Sequence, residues 1–198
     1  MSRGDKLVEF LFKVWSPIYD QPIFQKPFYR RVHRAVLGAI DAGPALPASG
    51  RVVDLGCGTA QLTDDLRRRF GAATVVGVDL SGDMLAAARK RLGAAAPPLV
   101  KGNVYALPLA TGGVDLLTST ISYHWYLEPA RALAEIRRVV KPGGRFVLAT
   151  MASLLFKGVV GRARLATAED TRGELVAAGF RVVSEARVRP GVRVFVAT

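Results

Sequence analysis

From residue 51 onward, short apolar segments of strand length alternate with segments of helical periodicity, and this alternation narrows the choice of folds more than any other feature. The sequence predicts strands at residues 51–55, 74–79, 99–101, 114–119 and 145–150. It predicts helices at residues 61–70, 81–92, 129–140 and 171–178. Ser81 is the predicted N-cap of the second of these helices, and Gly179 ends the last. Strands that alternate with helices predict a parallel sheet covered on both faces.

The end of the chain breaks this alternation. Residues 180–188 and 192–197 are both strand-like and rich in valine, and only a short turn separates them. Parallel neighbours need a crossover of about a dozen residues or more, so these two strands must form an antiparallel hairpin. The predicted fold class is therefore α/β, a Rossmann-like three-layer sandwich. Its sheet is seven-stranded and mostly parallel, with an antiparallel last strand.

The N-terminal part of the chain has a different composition. Residues 1–50 contain seven of the 16 aromatic side chains, and three prolines break the chain after the first apolar cluster. A helix is predicted at residues 28–40. We therefore divide the chain into a helical N-terminal lid, residues 1–48, and a Rossmann-like core, residues 49–198. Two interpretations of the lid stay open at this point, namely packing on the sheet alone or lining an apolar substrate pocket as well.

Cysteine content and hydropathy exclude several classes of protein. Cys57 is the single cysteine, so an intramolecular disulfide and a cysteine-based zinc cluster are excluded, and we expect no metal site. A cytoplasmic location is the expectation, since no oxidising compartment is required. Charged residues in the first turns are incompatible with a signal peptide. The longest uncharged apolar-rich run near the C-terminal half, residues 146–156, is too short for a bilayer span, which needs about 20 residues.

The formal net charge of +12 suggests a nucleic-acid or anionic-membrane partner. The basic residues are spread along the whole chain, however, and form no clustered stripe or aromatic single-strand platform. This distribution disfavours nucleic acid as the partner. Peripheral contact with a membrane surface remains an alternative, because basic side chains of the N-terminal segment can meet anionic headgroups.

Two acidic residues and two glycines carry the strongest functional signal. A strand runs through Asp54 into a turn containing Gly56 and Gly58, and a helix follows. Such a turn lets the backbone approach a ligand closely, and the helix N-terminus offers free N–H groups. Asp79 ends the second strand, where an acid can accept hydrogen bonds from ribose hydroxyls. A nicotinamide dehydrogenase is disfavoured, because Gln61 stands where its third glycine belongs and the sheet ends in an antiparallel strand.

These residues resemble the class I S-adenosylmethionine-dependent methyltransferases, and more narrowly the type-11, ubiquinone/menaquinone-methyltransferase-like group. The resemblance covers about residues 15–198. Five ordered core segments carry it, at residues 52–60, 77–81, 101–109, 114–125 and 141–145. The Tyr19-Asp20 pair also resembles a pair that precedes the core in many members. Ala60 and Asn103 depart from the pattern, since glycine and an acid are frequent at those positions.

The resemblance implies binding of S-adenosyl-L-methionine, with S-adenosyl-L-homocysteine as the product. Asp54, Gly56 and Gly58 would lie at the methionine part, with Cys57 between the glycines, and Asp79 would hold the ribose. The other implied cofactor-binding residues are Tyr19, Leu80, Met84, Asn103, Val104, Ser119 and Thr120. The expected function is methyl transfer to a small-molecule or lipid-like acceptor. RNA or protein methylation and non-catalytic binding of an S-adenosyl ligand are the alternatives, and the oligomeric state stays open.

His124 is the candidate catalytic residue. It follows the fourth strand, and an imidazole with a pKa near neutrality can take a proton from an O–H or C–H nucleophile. The other interpretation is that His124 only structures this loop. The second histidine, His33, is assigned to the N-terminal helix and away from the cleft.

Overall fold

In the computed structural model of the chain, residues 28–71, 73–152 and 166–198 are described. The strands are β1 (Arg51–Leu55), β2 (Thr74–Asp79), β3 (Leu99–Lys101), β4 (Val114–Thr120), β5 (Val140–Met151), β6 (Val182–Arg189) and β7 (Val192–Ala197). The α-helices are α1 (Arg30–Asp41), α2 (Gln61–Arg69), α3 (Gly82–Leu92), α4 (Pro129–Val139) and α5 (Ala168–Ala177). Short 3-10 turns lie at Gly93–Ala95 and Tyr123–Trp125.

The strands form one seven-stranded sheet in the order β3-β2-β1-β4-β5-β7-β6. The first five strands are parallel, and β7 runs antiparallel to both β5 and β6. This arrangement confirms the predicted fold class and the predicted terminal hairpin. The order along the sheet reverses at β1, so the carboxyl ends of β1, β2 and β4 meet at one edge, where α/β sheets bind their ligands.

Two apolar layers hold helices against the two faces of the sheet. On one face, α1 and α2 bury Val32, Val36, Ile40 and Leu66 against valines and leucines of the strands. On the other face, α4 and α5 bury leucines and isoleucines with Phe146, Phe180 and Phe195 in a second cluster. The sheet is therefore covered on both sides, as its apolar strands require.

The element boundaries differ most from the predictions in two places. The predicted helix 171–178 begins earlier, at Ala168, because Thr167 and Asp170 form a capping box. The Thr167 hydroxyl accepts from the Asp170 N–H at 3.1 Å, and the Asp170 carboxylate accepts from the Thr167 N–H at 2.8 Å. The strand predicted from residue 145 begins at Val140, since the Pro-Gly-Gly segment forms an irregularity within the strand rather than a separate turn.

The described part of the predicted lid is α1 with the turn that follows it. The helix lies on the sheet beside β5 and β7, and the buried guanidinium of Arg145 on β5 contacts its C-terminal end. Tyr19 and the first apolar cluster lie outside the described residues. The division of the chain at residue 48 stays a prediction. Within the described ranges, no helix has both the length and the apolar content to cross a bilayer.

Candidate functional site

The turn after β1 has the conformation that its glycines permit. Gly56 has φ +70° and Gly58 has φ +54°, values in the left-handed region that other residues adopt at a cost. The N–H groups of Gly56 and Cys57 donate to the Val78 carbonyl oxygen at 2.7 and 3.1 Å, which ties the turn to the end of β2. A Cβ atom added to Gly56 would lie 2.5 Å from the Ser122 Oγ, so the position admits no side chain.

Ala60 completes this turn in a strained conformation. It is buried, has φ +61°, and precedes the first turn of α2. Its N–H donates to the Cys57 carbonyl oxygen at 2.8 Å. A left-handed conformation costs a residue with a Cβ roughly 1–2 kcal/mol. The departure from glycine noted in the sequence therefore lies at a position where glycine has a physical advantage.

The Asp79 carboxylate connects the ends of β1 and β2. Its Oδ2 accepts a hydrogen bond from the Gly58 N–H at 2.8 Å, and its Oδ1 accepts one from the Ser81 N–H at 2.8 Å. Burial raises the pKa of Asp79, against the effect of these backbone hydrogen bonds. The Leu80 N–H is a third backbone donor to this carboxylate. A carboxylate has about four acceptor positions, so Asp79 retains capacity for a further hydroxyl donor. The side chain is half-buried and suited to hold a ribose.

The Asp54 carboxylate, which is 2% exposed, joins three elements. Its Oδ2 accepts from the Thr63 hydroxyl of α2 at 2.7 Å, and its Oδ1 accepts from the Thr118 hydroxyl of β4 at 2.9 Å. Burial raises the pKa of Asp54 to about 6, although the two hydroxyl donors favour the ionised form. Asp54 therefore fixes the β1 turn relative to α2 and β4.

An open cleft lies at the carboxyl ends of β1 and β4. Its lining residues are Tyr29, His33, Asp54, Gly56, Cys57, Thr59, Gln61, Leu62 and Thr120. The Thr120 Oγ1 is buried and has no hydrogen-bond partner among the described residues. Asp79 is not among the described residues that line this cleft.

The other predicted cofactor residues lie around the ends of β2, β3 and β4. Asp79 is in register with Lys101, so the loops after β2 and β3 are neighbours. Met84 and Val104 are buried, and Leu80 is half-buried. The Asn103 Oδ1 accepts from the Tyr105 N–H at 3.0 Å. These positions are compatible with an adenine beside β2 and β3, and that assignment stays a proposal.

Sequence reasoning missed a cluster of three hydroxyl groups behind Gly56. The Ser119 Oγ, Ser122 Oγ and Tyr126 Oη lie 2.9 to 3.1 Å from one another. Burial raises the pKa of Tyr126 to about 12, so its hydroxyl stays protonated and can donate. The cluster holds the loop after β4 against the β1 turn. Its residues are close in sequence, but only the 3-10 turn brings Tyr126 back to Ser119.

The structure places the two histidines differently with respect to the cleft. His124 is 3% exposed within the 3-10 turn, and it is not among the described residues that line the cleft. Its Nδ1 has no partner among the described residues, and burial lowers its pKa to about 4. His33 was assigned away from the cleft, but α1 places it in the cleft lining. Burial lowers its pKa to about 4 as well. The general-base role of His124 stays a prediction.

The arrangement fits an S-adenosyl ligand. The β1 turn provides a surface without side chains at Gly56 and Gly58, and the Asp79 carboxylate lies beside it. The cleft provides the unpartnered Thr120 hydroxyl and the N-terminus of α2. Within the part of the chain that the structure describes, no three His, Cys, Asp or Glu side chains are grouped to hold a metal ion.

Comparison with known proteins gives one family match. The model of the methyltransferase domain family, type 11, matches residues 53–148, which include the last three residues of β1, the β1 turn, Asp79 and most of β5.

Two curated relatives extend the comparison. The chain is 33% identical over 171 residues to the malonyl-[acyl-carrier protein] O-methyltransferase of Geobacter sulfurreducens, covering 78% of this chain and 63% of the relative. It is 37% identical over 116 residues to the biotin biosynthesis bifunctional protein BioCD of Bordetella avium, covering 59% of this chain and 25% of the relative. The chain thus spans less than two thirds of the length of these relatives.

Solved structures support the fold. A structure of the complex between the Haloferax volcanii Trm112 methyltransferase activator and a methyltransferase matches with a TM-score of 0.80 and 21% identity, over 94% of this chain and 96% of the matching chain. An S-adenosylmethionine-dependent methyltransferase from Aquifex aeolicus matches with a TM-score of 0.73 and 21% identity, over 92% and 95%. At these identities the likeness concerns the fold alone.

Proposed function

The chain belongs to the type-11 family of class I methyltransferases, whose cofactor is S-adenosyl-L-methionine, and from this membership we propose that it transfers a methyl group from that cofactor to a small-molecule or lipid-like acceptor. S-adenosyl-L-homocysteine is the other product. The observation that carries the proposal is the hydrogen bond from the Gly58 N–H to the Asp79 carboxylate at 2.8 Å. This hydrogen bond links the glycine turn to Asp79, the acidic residue proposed to hold the ribose, so both belong to one site.

The residues of this chain act by binding and orientation. Asp79 would hold the ribose hydroxyls, and the β1 turn would lie under the methionine part. Asp54 keeps that turn in place through Thr63 and Thr118. When bound, the cofactor supplies an electrophilic methyl group on a positively charged sulfur. Holding an acceptor atom in line with that methyl group can account for most of the rate acceleration.

The acceptor we propose is a carboxylate oxygen. The chain has two histidines, and burial lowers the pKa of both to about 4, which weakens a neutral imidazole as a base. A carboxylate acceptor does not depend on whether His124 acts as a base. A carboxylate is already ionised near neutral pH and needs no base. Relatives named malonyl-[acyl-carrier protein] O-methyltransferase favour the same chemistry, since a malonyl group attached through one end has a free carboxylate.

The first experiment tests the cofactor site. Calorimetry with S-adenosyl-L-homocysteine should give binding to the wild-type protein, and Asp79→Ala should weaken it by at least about tenfold, because hydrogen bonds to a charged group contribute about 1.5–3 kcal/mol. Asp83→Ala is the matched control, since Asp83 is an exposed acid in the first turn of α3. Equal affinity of the Asp79→Ala and wild-type proteins would show that the site is assigned wrongly.

The second experiment tests the acceptor. A panel of carboxylic acids, alcohols and amines is incubated with methyl-labelled cofactor, and each labelled product is then treated with alkali. A methyl ester releases its label as methanol, whereas an ether or a methylamine retains it. Label that is retained after alkali would contradict the carboxylate assignment while leaving methyl transfer intact.

The net charge of +12 favours one second candidate, an RNA or protein acceptor. This candidate predicts tight polynucleotide binding that weakens steeply with salt, because each neutralised phosphate releases counterions. Weak polynucleotide binding that does not change with salt concentration would exclude RNA as the acceptor. Cofactor binding without turnover on any acceptor would instead favour a non-catalytic binding protein. A cytoplasmic location is part of the proposal, since the single cysteine requires no oxidising compartment.

A further inference from the structure

Helix α1 brings an imidazole to the cleft that the β1 turn and β4 form. Tyr29, directly before α1, and His33 on its first turns line the cleft together with Gly56, Cys57 and Thr120. The Tyr29 and His33 rings lie 6.4 Å apart, centroid to centroid. The next buried positions of the helix, Val32 and Val36, lie in the core. The face that carries His33 is therefore fixed by packing on both sides.

The position of His33 indicates which part of an S-adenosyl ligand it would meet. The cleft includes Asp54, Gly56 and Cys57, which resemble the methionine-binding segment, but Asp79 is not among its described lining residues. Since Asp79 is the proposed ribose acceptor, the cleft corresponds to the end of the ligand remote from the ribose. That end carries one carboxylate and one ammonium group.

We propose that the His33 imidazole binds the amino-acid end of the S-adenosyl ligand and so makes α1 a wall of the cofactor site. The inference rests on the proposed cofactor and goes beyond it, because it assigns a residue of the N-terminal segment to ligand contact. A neutral imidazole has one N–H donor and one acceptor nitrogen, which match a carboxylate and an ammonium group.

Other groups of the cleft can also bind the charged amino-acid end of the ligand. The Thr120 Oγ1 is buried without a partner in the described chain, and Gln61 begins α2, whose N-cap residue Ala60 has no side-chain hydrogen bond to the helix. First-turn N–H groups of a helix favour a negatively charged ligand group. The low pKa of His33, about 4, keeps its ring neutral without a ligand, so it donates by an ordinary N–H.

The test compares two ligands on one set of variants. S-adenosyl-L-homocysteine has the amino-acid end, and 5′-methylthioadenosine lacks it but retains the nucleoside. His33→Leu should weaken S-adenosyl-L-homocysteine about 10- to 100-fold, the range that hydrogen bonds to a charged group imply. Binding of 5′-methylthioadenosine should change less than about twofold, within the scatter of non-contacting substitutions. His33→Gln retains an N–H donor and should recover part of the loss.

Arg31→Lys serves as the control variant, because Arg31 is an exposed neighbour on the same helix. Its affinities for both ligands should match those of the wild type. Equal weakening of both ligands by His33→Leu would overturn the proposal, since His33 would then only shape the cleft. Unchanged affinity for S-adenosyl-L-homocysteine would overturn it too. Failure of the wild-type protein to bind either ligand would instead refute the proposed function.

A measurement on the wild-type protein avoids dependence on variant folding. The chain has two histidines, so its proton NMR spectrum contains two sets of imidazole signals. The set that is missing in His124→Gln belongs to His124, and the other belongs to His33. S-adenosyl-L-homocysteine should shift the His33 signals clearly more than 5′-methylthioadenosine does. Equal shifts by the two ligands would contradict contact with the amino-acid end.

Discussion

The guanidinium of Arg145 on β5 holds the C-terminal end of α1, its Nη1 donating a hydrogen bond to the Ile40 carbonyl oxygen at 2.8 Å. Its Nη2 donates to the Pro44 carbonyl oxygen at 2.7 Å, and the side chain is 5% exposed. A Cβ atom on Gly43 would lie 2.0 Å from Nη1, so the turn after α1 closes tightly over the guanidinium. This contact and the apolar face of α1 together fix the helix that presents His33.

We expect Arg145→Lys to lower the free energy of unfolding by about 2 kcal/mol, because one ammonium group cannot reach both carbonyl oxygens and a buried acceptor is left unpaired. Urea denaturation measures the loss. Arg181→Lys, at an exposed position, is the control and should change stability by less than about 0.5 kcal/mol. Loss of stability without weaker binding of S-adenosyl-L-homocysteine would show that α1 keeps its position without Arg145.

Ala60→Gly should change stability little. Relief of the left-handed conformation, roughly 1–2 kcal/mol, offsets the loss of a buried methyl group and the extra backbone entropy of glycine. We therefore expect a change within about 0.5 kcal/mol in thermal or urea unfolding. Ala86→Gly, at an exposed position inside α3, has no such relief and should cost about 1 kcal/mol. Equal losses in the two variants would contradict strain at Ala60.

Gly56→Ala should destabilise the protein by about 2–4 kcal/mol, since its Cβ would collide with Ser122 and its positive φ is costly for alanine. Ser122→Gly removes the Oγ and Cβ atoms that the new methyl group would meet, and these lie at 2.5 and 2.6 Å. The double variant should recover the steric part of the loss but not the backbone part. Additive losses in this double-mutant cycle would exclude the predicted collision.

Stability should depend on pH through His124. Its pKa is about 4 in the folded state against an ordinary value of 6.5, so the unfolded chain binds the proton more tightly. The contribution of the neutral ring is complete above pH 6.5 and decreases as the pH falls toward 4. When the pH is lowered from 7.5 to 4.5, the free energy of unfolding of the wild-type protein should fall by about 2–3 kcal/mol more than that of His124→Gln.

The difference in the free energy of unfolding between the wild-type protein and His124→Gln reports the titration of the His124 imidazole. Asp54, whose pKa of about 6 is raised in the folded state, contributes in the opposite direction as the pH falls, but it does so in both proteins. Urea titrations at a series of pH values measure the difference. A constant difference across this range would show that His124 does not titrate as its burial implies.

The sequence predicted the strands best where an apolar run ends at polar or glycine residues. The bounds of β1, β2 and β3 agree with the predictions at both ends, and the Ser81 N-cap is confirmed by its hydrogen bond from the Met84 N–H at 3.2 Å. These features depend on neighbours along the chain. The start of α5 was predicted three residues late, because a Thr-x-x-Asp capping box is a weak signal without an apolar run behind it.

The positions of the two histidines required the structure. Whether His33 meets the cleft depends on how α1 crosses the sheet, which apolar periodicity does not specify. Whether His124 faces the cleft depends on the 3-10 turn that buries it. The Ser119, Ser122 and Tyr126 cluster depends on the same turn. His33 thus meets the cleft far from its lining residues in the sequence, whereas His124, near Thr120 in the sequence, is not among the described lining residues.

The place of β7 in the sheet has a consequence for biosynthesis. Among the described strands, β6 pairs with β7 alone, and β7 also pairs with β5, so β7 completes the inner part of the sheet. Until residues 192–197 have left the ribosome, β6 lacks its partner and β5 presents an open edge. A nascent chain stalled before that point would expose strand edges able to pair with other chains. Its tendency to aggregate therefore depends on whether β7 has been translated.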